Sequence, residues 1–200
     1  MSAPIPAVTR AVRTAAVVLA AGRGSRFVGG PKLLAPFRGR PLVVSAVASA
    51  LEAGLDETVV VVGEVRLTGV LPPGVTVVEN PRWREGIATS LAAAVRHAQA
   101  VGHEAAVVGL GDQPLVPGAA WAAVAASTAP VAVATYSGAR RNPVRLARAV
   151  WPLLPTTGDE GARALVRDRP DLVVEVPCPG DPRDVDTTED LRTLEVGPTN

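Results

Sequence analysis

Lysine is almost absent from this sequence: Lys32 is the only one among 20 basic residues in a chain of 200. The others are all arginine, so the chain does not use lysine as a general surface charge. A lysine in this background indicates a need for a compact ammonium, because lysine is a point charge on a flexible stem and arginine is a planar fork. Such a group suits contact with one phosphate oxygen.

Cysteine and long apolar runs are also scarce. Cys178 is the only cysteine, which excludes a disulfide or cysteine-based metal site within one chain and fits a cytoplasmic protein. No apolar segment reaches the roughly 18 residues of a membrane span, so we expect no membrane partner. The apolar run 15–21 follows Arg10 and Arg13 but leads into Gly-Arg-Gly-Ser-Arg, which favours a buried strand over a secretion signal.

Acidic residues are missing before Glu52, although the whole chain has a net charge of +1. The near-neutral total argues against nucleic acid or a membrane surface as a partner. A locally cationic N-terminal region suits a small polyanionic ligand instead. Its basic residues are Arg10, Arg13, Arg23, Arg26, Lys32, Arg38 and Arg40.

Apolar runs and amphipathic segments alternate along the chain. The predicted strands are Ala15–Ala20, Thr58–Val62, Val75–Glu79, Ala105–Leu110, Val131–Thr135 and Leu172–Val176. The predicted helices are Leu42–Ala53, Ile87–Ala100, Pro117–Ala126, Arg145–Leu154, Asp159–Arg167 and Thr187–Leu194. This order predicts an α/β fold, namely a single-domain, three-layer, mostly parallel Rossmann-like sheet with helices on both faces. We expect residues 1–14 to form a loose tail and residues 15–195 to form the domain.

Ligands of such sheets bind beyond the carboxyl ends of the strands, where two predicted loops carry chemical groups. These loops are residues 21–32 and 111–114. The first is rich in glycine and ends at Lys32, as loops that cradle nucleotide phosphates often do. A Walker A loop is excluded because Pro31 precedes the lysine and Leu33 replaces the required hydroxyl residue. A Rossmann fingerprint fits poorly, since Phe27 stands at the third glycine position.

The loop has a better match elsewhere. Its pattern Leu-Ala-Ala-Gly-x-Gly-x-Arg-Phe, followed by Gly-Gly-Pro-Lys, resembles the signature of nucleotidyltransferases with the glycosyltransferase-A-like, nucleotide-diphospho-sugar transferase fold. Members of that group transfer an NMP from an NTP to a phosphorylated acceptor. The resemblance implies that Arg26 and Lys32 are catalytic and neutralise phosphates. It also implies that the nucleotide lies on Leu19, Ala20, Ala21, Gly22, Arg23 and Gly24.

Later segments resemble one branch of that group, the molybdenum cofactor nucleotidyltransferases and especially the molybdopterin cytidylyltransferases. The matching segments are 79–91, 111–114, 158–163 and 184–191, so the resemblance covers about residues 15 to 192. It adds Asn80, Gly86 and Ser90 to the nucleotide-binding residues, although a loop glycine and a solvent-facing serine would also explain the last two. The first loop and the segment Glu85–Ser90 favour CTP over GTP.

Transfer between two phosphates needs a cation, because both reactants are anions. Asp112 ends an apolar strand and is the first candidate ligand of Mg²⁺, with a turn-forming aspartate as the alternative. Asp186 is the second candidate, with Asp184 behind it. Asp186 also has a competing role as the N-cap of the last helix, paired with Glu189.

Three positions carry further expectations. The branch commonly has Gly-His-Pro after its fifth strand, whereas this chain has Asn142 before Pro143, which leaves the acceptor open. His97 and His103 have no cysteine or acid at ligand spacing, so we expect them to face solvent.

The prediction is a Mg²⁺-dependent enzyme that transfers CMP from CTP to a phosphorylated acceptor, with molybdopterin favoured, and releases pyrophosphate. The resemblance also implies a molybdenum hydroxylase apo-enzyme as a protein partner. Three alternatives stay open: a GTP-dependent guanylyltransferase, a transferase acting on a sugar phosphate, and a non-catalytic protein that delivers the cofactor.

Overall fold

The computed structural model describes residues 12–196 apart from positions 23, 25, 26 and 68. Most of the predicted tail, together with Arg10, Arg23 and Arg26, lies outside the described residues. The strands are β1 (Thr14–Ala20), β2 (Pro36–Phe37), β3 (Arg40–Pro41), β4 (Glu57–Val62), β5 (Val75–Glu79), β6 (Ala105–Leu110), β7 (Val131–Tyr136), β8 (Ala139–Ala147) and β9 (Val173–Pro177). The α-helices are α1 (Leu42–Glu52), α2 (Ile87–Ala100), α3 (Gly118–Ala125), α4 (Ala162–Asp168) and α5 (Thr188–Val196).

A seven-stranded sheet forms the centre of the described part of the chain, in the order β5-β4-β1-β6-β8-β7-β9. β8 runs antiparallel to both of its neighbours, and the other pairs are parallel. A separate antiparallel pair joins β2 to β3. The predicted mostly parallel α/β fold is therefore confirmed.

The central strand β1 explains why its sequence is continuously apolar. Val17 and Leu19 contact one hydrophobic cluster, while Val18 and Ala20 contact another on the opposite face. All seven residues are buried, as expected for a parallel strand covered on both sides. Helices α2 and α4 supply the first cluster, and helices α1 and α3 supply the second.

The largest correction concerns residues 139–154. We predicted a helix over Arg145–Leu154, but the chain is in β8 as far as Ala147 and then forms a short 3-10 helix, Arg148–Leu153. β8 pairs with β6 on one side and β7 on the other, so it is recognised as a strand from these partners and not from its own sequence. Its Arg145 is tolerated in a buried position because the side chain donates to the Ala129 carbonyl. The pairing with β7 shifts register beside Pro143, which has no N–H to donate.

The N-terminal segments also differ from the prediction. Thr14 is the first residue of β1, pairs with Ala105 and donates its N–H to Asp56, so the expectation that it belongs to a loose tail is wrong. The segment expected to be loop to residue 40 contains a 3-10 helix at Lys32–Leu34 and the β2–β3 pair.

A third apolar cluster brings α5 to the segment that follows Lys32. Val185 and Leu194 pack with Phe37 and Leu42, and all four side chains are at most 2% exposed. The Arg38 N–H also donates to Glu195. This packing holds the residues just before α5 beside the Gly-rich loop. None of the helices described here is long and apolar enough to cross a membrane.

Candidate active site

The carboxyl ends of β1 and β6 open into a cleft of about 480 Å³. Its walls come from the loop after β1, the turn after β6, the first turn of α2 and the loop before α4. It is lined by Leu19, Ala20, Ala21, Gly22, Gly24, Lys32, Leu33, Trp83, Arg84, Gly86, Ile87, Ser90, Leu110, Asp112 and Asp159. Most of the sequence-predicted nucleotide-binding residues are therefore brought together, while Arg23 and Arg26 lie outside the described residues.

Lys32 is held in this cleft by its neighbours. The residue is only 8% exposed, and the adjacent Leu33 is buried in the cluster beneath α1. Gly24 lies directly over the lysine stem with φ at +61°, and a Cβ added there would come within 2.7 Å of Lys32 Cβ. Glycine is needed at this position for both reasons. The aliphatic part of Lys32 is thus fixed, and its ammonium is directed at two carboxylates.

The nearer carboxylate is Asp112. Lys32 Nζ donates to Asp112 Oδ2 at 2.6 Å. The turn that carries Asp112 is fixed by its backbone, since the Gly111 N–H donates to the Leu19 carbonyl and the Asp112 carbonyl accepts from Val185. Asp112 Oδ1 is buried and has no hydrogen-bond partner among the described residues. A buried carboxylate oxygen in that state is suited to a cation.

The second carboxylate is Asp186, whose Oδ1 lies 3.3 Å from Lys32 Nζ. The alternative role of Asp186 as helix cap is wrong. Thr187 Oγ1 accepts the Asp190 N–H, and the Asp190 carboxylate accepts the Thr187 N–H, so these two residues form the capping pair of α5. The predicted partner Glu189 is exposed and contacts Arg192 instead. Asp186 is therefore directed toward Lys32 and not used as the cap.

Asp184 completes a group of acids near Lys32. Its pKa is raised, first because the surrounding protein removes part of its hydration and then because Asp112 and Asp186 are negatively charged. A hydrogen bond from Gln113 and the charge of Lys32 only partly offset these effects. The local excess of negative charge that raises this pKa also favours binding of a cation.

These acids meet the requirements of Mg²⁺ only in part. No group of three or more His, Cys, Asp or Glu side chains in the described part of the chain is arranged to hold a metal ion. Mg²⁺, however, commonly binds one or two carboxylates and completes its shell with water and substrate phosphates. Asp112, with its unpartnered oxygen, and Asp186 fit that pattern of ligands.

The α2 wall is built on a buried hydrogen-bond network. Asn80 is 3% exposed, and its amide donates to Thr89 Oγ1 at 2.8 Å and to Ser90 Oγ at 2.9 Å. Asn80 therefore does not line the cleft but positions Ser90, which does. Ser90 is buried and does not face solvent. Because its oxygen accepts from Asn80, its hydroxyl can donate its own proton to a ligand.

Gly86 brings a second loop against this wall. Its φ is +103°, and a Cβ there would lie 2.2 Å from the Gly158 carbonyl oxygen. That carbonyl accepts the Ala88 N–H, and the Gly158 N–H donates to Glu85. The first turn of α2 therefore already has a protein partner. Only a glycine permits this contact between the two segments.

Sequence reasoning missed two side chains of the cleft, Arg84 and Asp159, whereas Trp83 was expected to flank the nucleotide loop and does line the cleft. Arg84 lies over the Trp83 ring at 4.7 Å, and Trp83 in turn packs on Gly63. Asp159 enters from the loop before α4. The segments Pro-Arg-Trp-Arg and Gly-Asp-Glu-Gly were visible in the sequence, but nothing in their spacing indicated that they meet.

The two histidines belong elsewhere, and the prediction that they face solvent is wrong. His103 is fully buried, and His97 and His103 each place Nε2 within 2.9 Å of the Glu57 carboxylate. Burial alone would raise the pKa of Glu57, but hydrogen bonds from Thr76 and both imidazoles outweigh it and lower that pKa to about 2. The ionised carboxylate only accepts, so both Nε2 atoms carry hydrogens.

Comparisons with known proteins agree with this geometry. The chain is 34% identical over 194 residues to nicotine blue oxidoreductase of Paenarthrobacter nicotinovorans, covering 90% of this chain and 92% of that one. It is 30% identical to the purine catabolism protein PucB of Bacillus subtilis (strain 168), covering 87% and 92%. The crystal structure of Rv0371c from Mycobacterium tuberculosis H37Rv superposes with a TM-score of 0.79 and 31% identity, covering 94% and 100%.

Another structure of Rv0371c, at 30% identity and a TM-score of 0.74 with 92% and 98% coverage, is described as a complex with manganese. The family description that matches this chain over residues 16–173 is the MobA-like NTP transferase domain. That match spans the loop after β1, the acidic turn after β6 and the α2 wall. The chain therefore belongs to the family of MobA-like NTP transferase domains.

Proposed function

We propose that this protein transfers CMP from CTP to a phosphorylated small molecule, with molybdopterin as the favoured acceptor, and releases pyrophosphate. The observation that carries the proposal is the position of Lys32. The chain's single lysine is buried between Asp112 and Asp186 at the carboxyl ends of the central strands, inside a cleft of about 480 Å³, a size typical of small-ligand sites.

The residues have separate roles in this proposal. Lys32 binds the triphosphate, with Arg26 as a second phosphate-neutralising group predicted from the sequence. The backbone of Leu19–Gly24 supports the nucleotide, and the absence of side chains at Gly22 and Gly24 permits close approach. Asp112 and Asp186 hold a divalent cation. The acceptor phosphate is already ionised, so no general base is required.

Asp112 and Asp186 would hold Mg²⁺, and the bound ion would supply positive charge that offsets the negative charge of the triphosphate and of the leaving pyrophosphate. The unpartnered Oδ1 of Asp112 supports this assignment. So does the manganese complex of Rv0371c, which shows that a relative binds a divalent cation. An ammonium has three donors, so Lys32 can also donate to phosphate oxygens when a nucleotide is bound.

We expect the acceptor to bind near Gln113, whose side chain links several segments beside Asp112. Gln113 donates to the Pro182 carbonyl at 2.8 Å and accepts from Asn142 Nδ2 at 3.3 Å. Tyr136 donates to the Asn142 carbonyl, which ties β7 into the same group. Asn142 stands where the branch that this sequence resembles commonly has histidine. It is bonded to Gln113, the residue after Asp112, so we expect it to influence which acceptor binds.

A matrix of substrates tests the proposal. CTP, GTP, ATP and UTP are each combined with molybdopterin and with common sugar phosphates, and pyrophosphate release is measured with Mg²⁺ and with Mn²⁺. We expect the highest rate with CTP and molybdopterin. If the rate is highest with GTP, the nucleotide donor is GTP and not CTP. If the rate is highest with a sugar phosphate, that compound and not molybdopterin is the acceptor.

A second candidate comes from the name of a relative. Nicotine blue oxidoreductase is 34% identical to this chain, so a redox function deserves a direct test. Binding of NADH and NADPH is measured beside the four NTPs by calorimetry. Tighter binding of a reduced nicotinamide nucleotide than of any NTP would favour the oxidoreductase over the transferase. Binding of CTP without transfer to any acceptor would favour the delivery protein.

A further inference from the structure

The unassigned side chain of the cleft is Asp159. It lies in the loop between the 3-10 helix Arg148–Leu153 and α4, and it lines the same cleft as Lys32 and Ser90. Among the residues that the structure describes, its carboxylate has no hydrogen bond or ion pair. The adjacent Glu160 is different, since it is paired with Arg167 on the α4 side.

The backbone around Asp159 is fixed from both sides. The preceding residue, Gly158, exchanges hydrogen bonds with Glu85 and Ala88. Arg163 donates to the Asp159 carbonyl at 3.2 Å. Asp159 Oδ1 lies 2.7 Å from the place that a Cβ on Gly86 would take, so the carboxylate touches the entrance of α2. An unpartnered carboxylate on an anchored backbone is a positioned acceptor.

Charge decides which part of a nucleotide this acceptor faces. A carboxylate repels phosphates, and the ammonium that attracts them is Lys32, beside Asp112 and Asp186. Asp159 therefore belongs with the uncharged end of the ligand, where an ionised carboxylate accepts hydrogen bonds and donates none. Ser90 can donate a proton on the same wall. The Asp159 carboxylate can accept from an amino group of a base, and the Ser90 hydroxyl can donate to a neighbouring ring nitrogen. Cytosine has both of these groups on one edge.

We propose that Asp159 is a specificity-determining residue that accepts a hydrogen bond from the exocyclic amino group of the nucleotide base. This inference rests on the proposed NTP function and deepens it, because it names the group that distinguishes cytidine from uridine nucleotides. Uracil has a carbonyl oxygen where cytosine has its amino group, so it places an acceptor against the carboxylate.

The test is calorimetry of D159A, D159N and the parent with CTP, UTP and inorganic tripolyphosphate in Mg²⁺. We expect D159A to weaken CTP binding about ten- to hundredfold, as for loss of a hydrogen bond to a charged group. Tripolyphosphate binding should not change, because that probe has no base. The D159N amide can donate to uracil, so we expect it to lower the preference for CTP over UTP about tenfold or more.

E160Q is the matched control, since it alters the next carboxylate on the far side of the same loop, and it should bind like the parent. Unchanged CTP binding in D159A and D159N would overturn the proposal. Equal losses for CTP and UTP would also overturn it, because the carboxylate would then act on the ribose or on the wall. K32A tests the NTP site separately from the role of Asp159. If K32A binds both CTP and tripolyphosphate like the parent, the assignment of the NTP site itself is wrong.

Discussion

Lys32 Nζ lies 2.6 Å from Asp112 Oδ2, and this ion pair joins the segments that follow the two central strands across 80 residues of sequence. The side chains are only 10% and 21% exposed, so solvent screens the pair poorly. The pair also connects the two chemical roles of the site, since one partner suits phosphate and the other suits a metal ion.

The first prediction concerns the shape of the cation at position 32. Lys32→Ala should weaken NTP binding by at least tenfold, and Lys32→Arg should restore little of it, because a planar fork cannot fit the space beneath Gly24. Calorimetric titration of CTP measures both variants. Arg192→Ala, which removes an exposed charge on α5, is the control. Full binding by Lys32→Arg would show that any positive charge suffices.

Gly24→Ala tests the packing that holds the lysine. The new Cβ would lie 2.7 Å from Lys32 Cβ, so the stem must move and CTP binding should fall by about tenfold or more. Gly39→Ala is matched, because its φ of +79° imposes a similar backbone strain with no atom within 4 Å of the new Cβ. Gly39→Ala should lose about 1 kcal/mol of stability from backbone strain alone. Gly24→Ala should lose more, because its Cβ also meets the Lys32 stem, and only Gly24→Ala should lose binding. Equal CTP binding by the two would contradict the packing argument.

Thr187, in the capping pair of α5, and its neighbour Asp186, in the cleft, should affect different properties of the protein. Thr187→Ala removes the acceptor of the Asp190 N–H and should cost about 1 kcal/mol of unfolding free energy. Asp186→Asn should cost less stability but lower the transfer rate strongly, since it removes a carboxylate beside Lys32. Thermal melting and pyrophosphate release are measured for both. A larger stability loss in Asp186→Asn with normal rate would assign Asp186 a structural role.

Glu57 should contribute to stability away from the cleft. Glu57→Gln weakens the bonds from His97, His103 and Thr76 and should cost about 1–3 kcal/mol at pH 7. Because folding lowers the Glu57 pKa from 4.5 to about 2, this stability is complete above pH 4.5 and lost as pH falls toward 2.

The difference in melting temperature between the parent and Glu57→Gln should therefore narrow between pH 5 and pH 2. Glu104→Gln, at an exposed ion pair with Arg148, should show no comparable difference. A constant difference across this pH range would contradict the pKa shift.

The sequence predicted elements whose signals are local. Helix α2 and strands β5 and β6 have the predicted bounds. Their apolar periods lie within each element, and a glycine directly beside each one (Gly86, Gly74 and Gly111) marks where it begins or ends. β8 was missed because its stability depends on β6 and β7 on either side, and Arg145 and Pro143 argue against a buried strand when seen alone. A strand of this kind is defined by partners far away in sequence.

In the site, too, the sequence predicted residues with local signals and missed contacts between distant segments. Lys32 and Asp112 were predicted because each follows an apolar strand that ends at the same edge of the sheet. The bonds of His103 and His97 to Glu57 were not, since the partners are 46 and 40 residues apart on different elements. Asp159 was missed for the same reason, because only the folded chain brings the loop before α4 against Gly86.

The most direct measurement is the Mg²⁺-dependent rate of pyrophosphate release by Asp112→Asn. The amide keeps the size of the side chain but removes the negative charge that would hold the metal ion. We predict a loss on the order of 10³-fold in rate, or about 4 kcal/mol, in a variant that stays folded. A variant that is folded and fully active would contradict the assignment of Asp112 as the metal ligand of a nucleotidyltransferase.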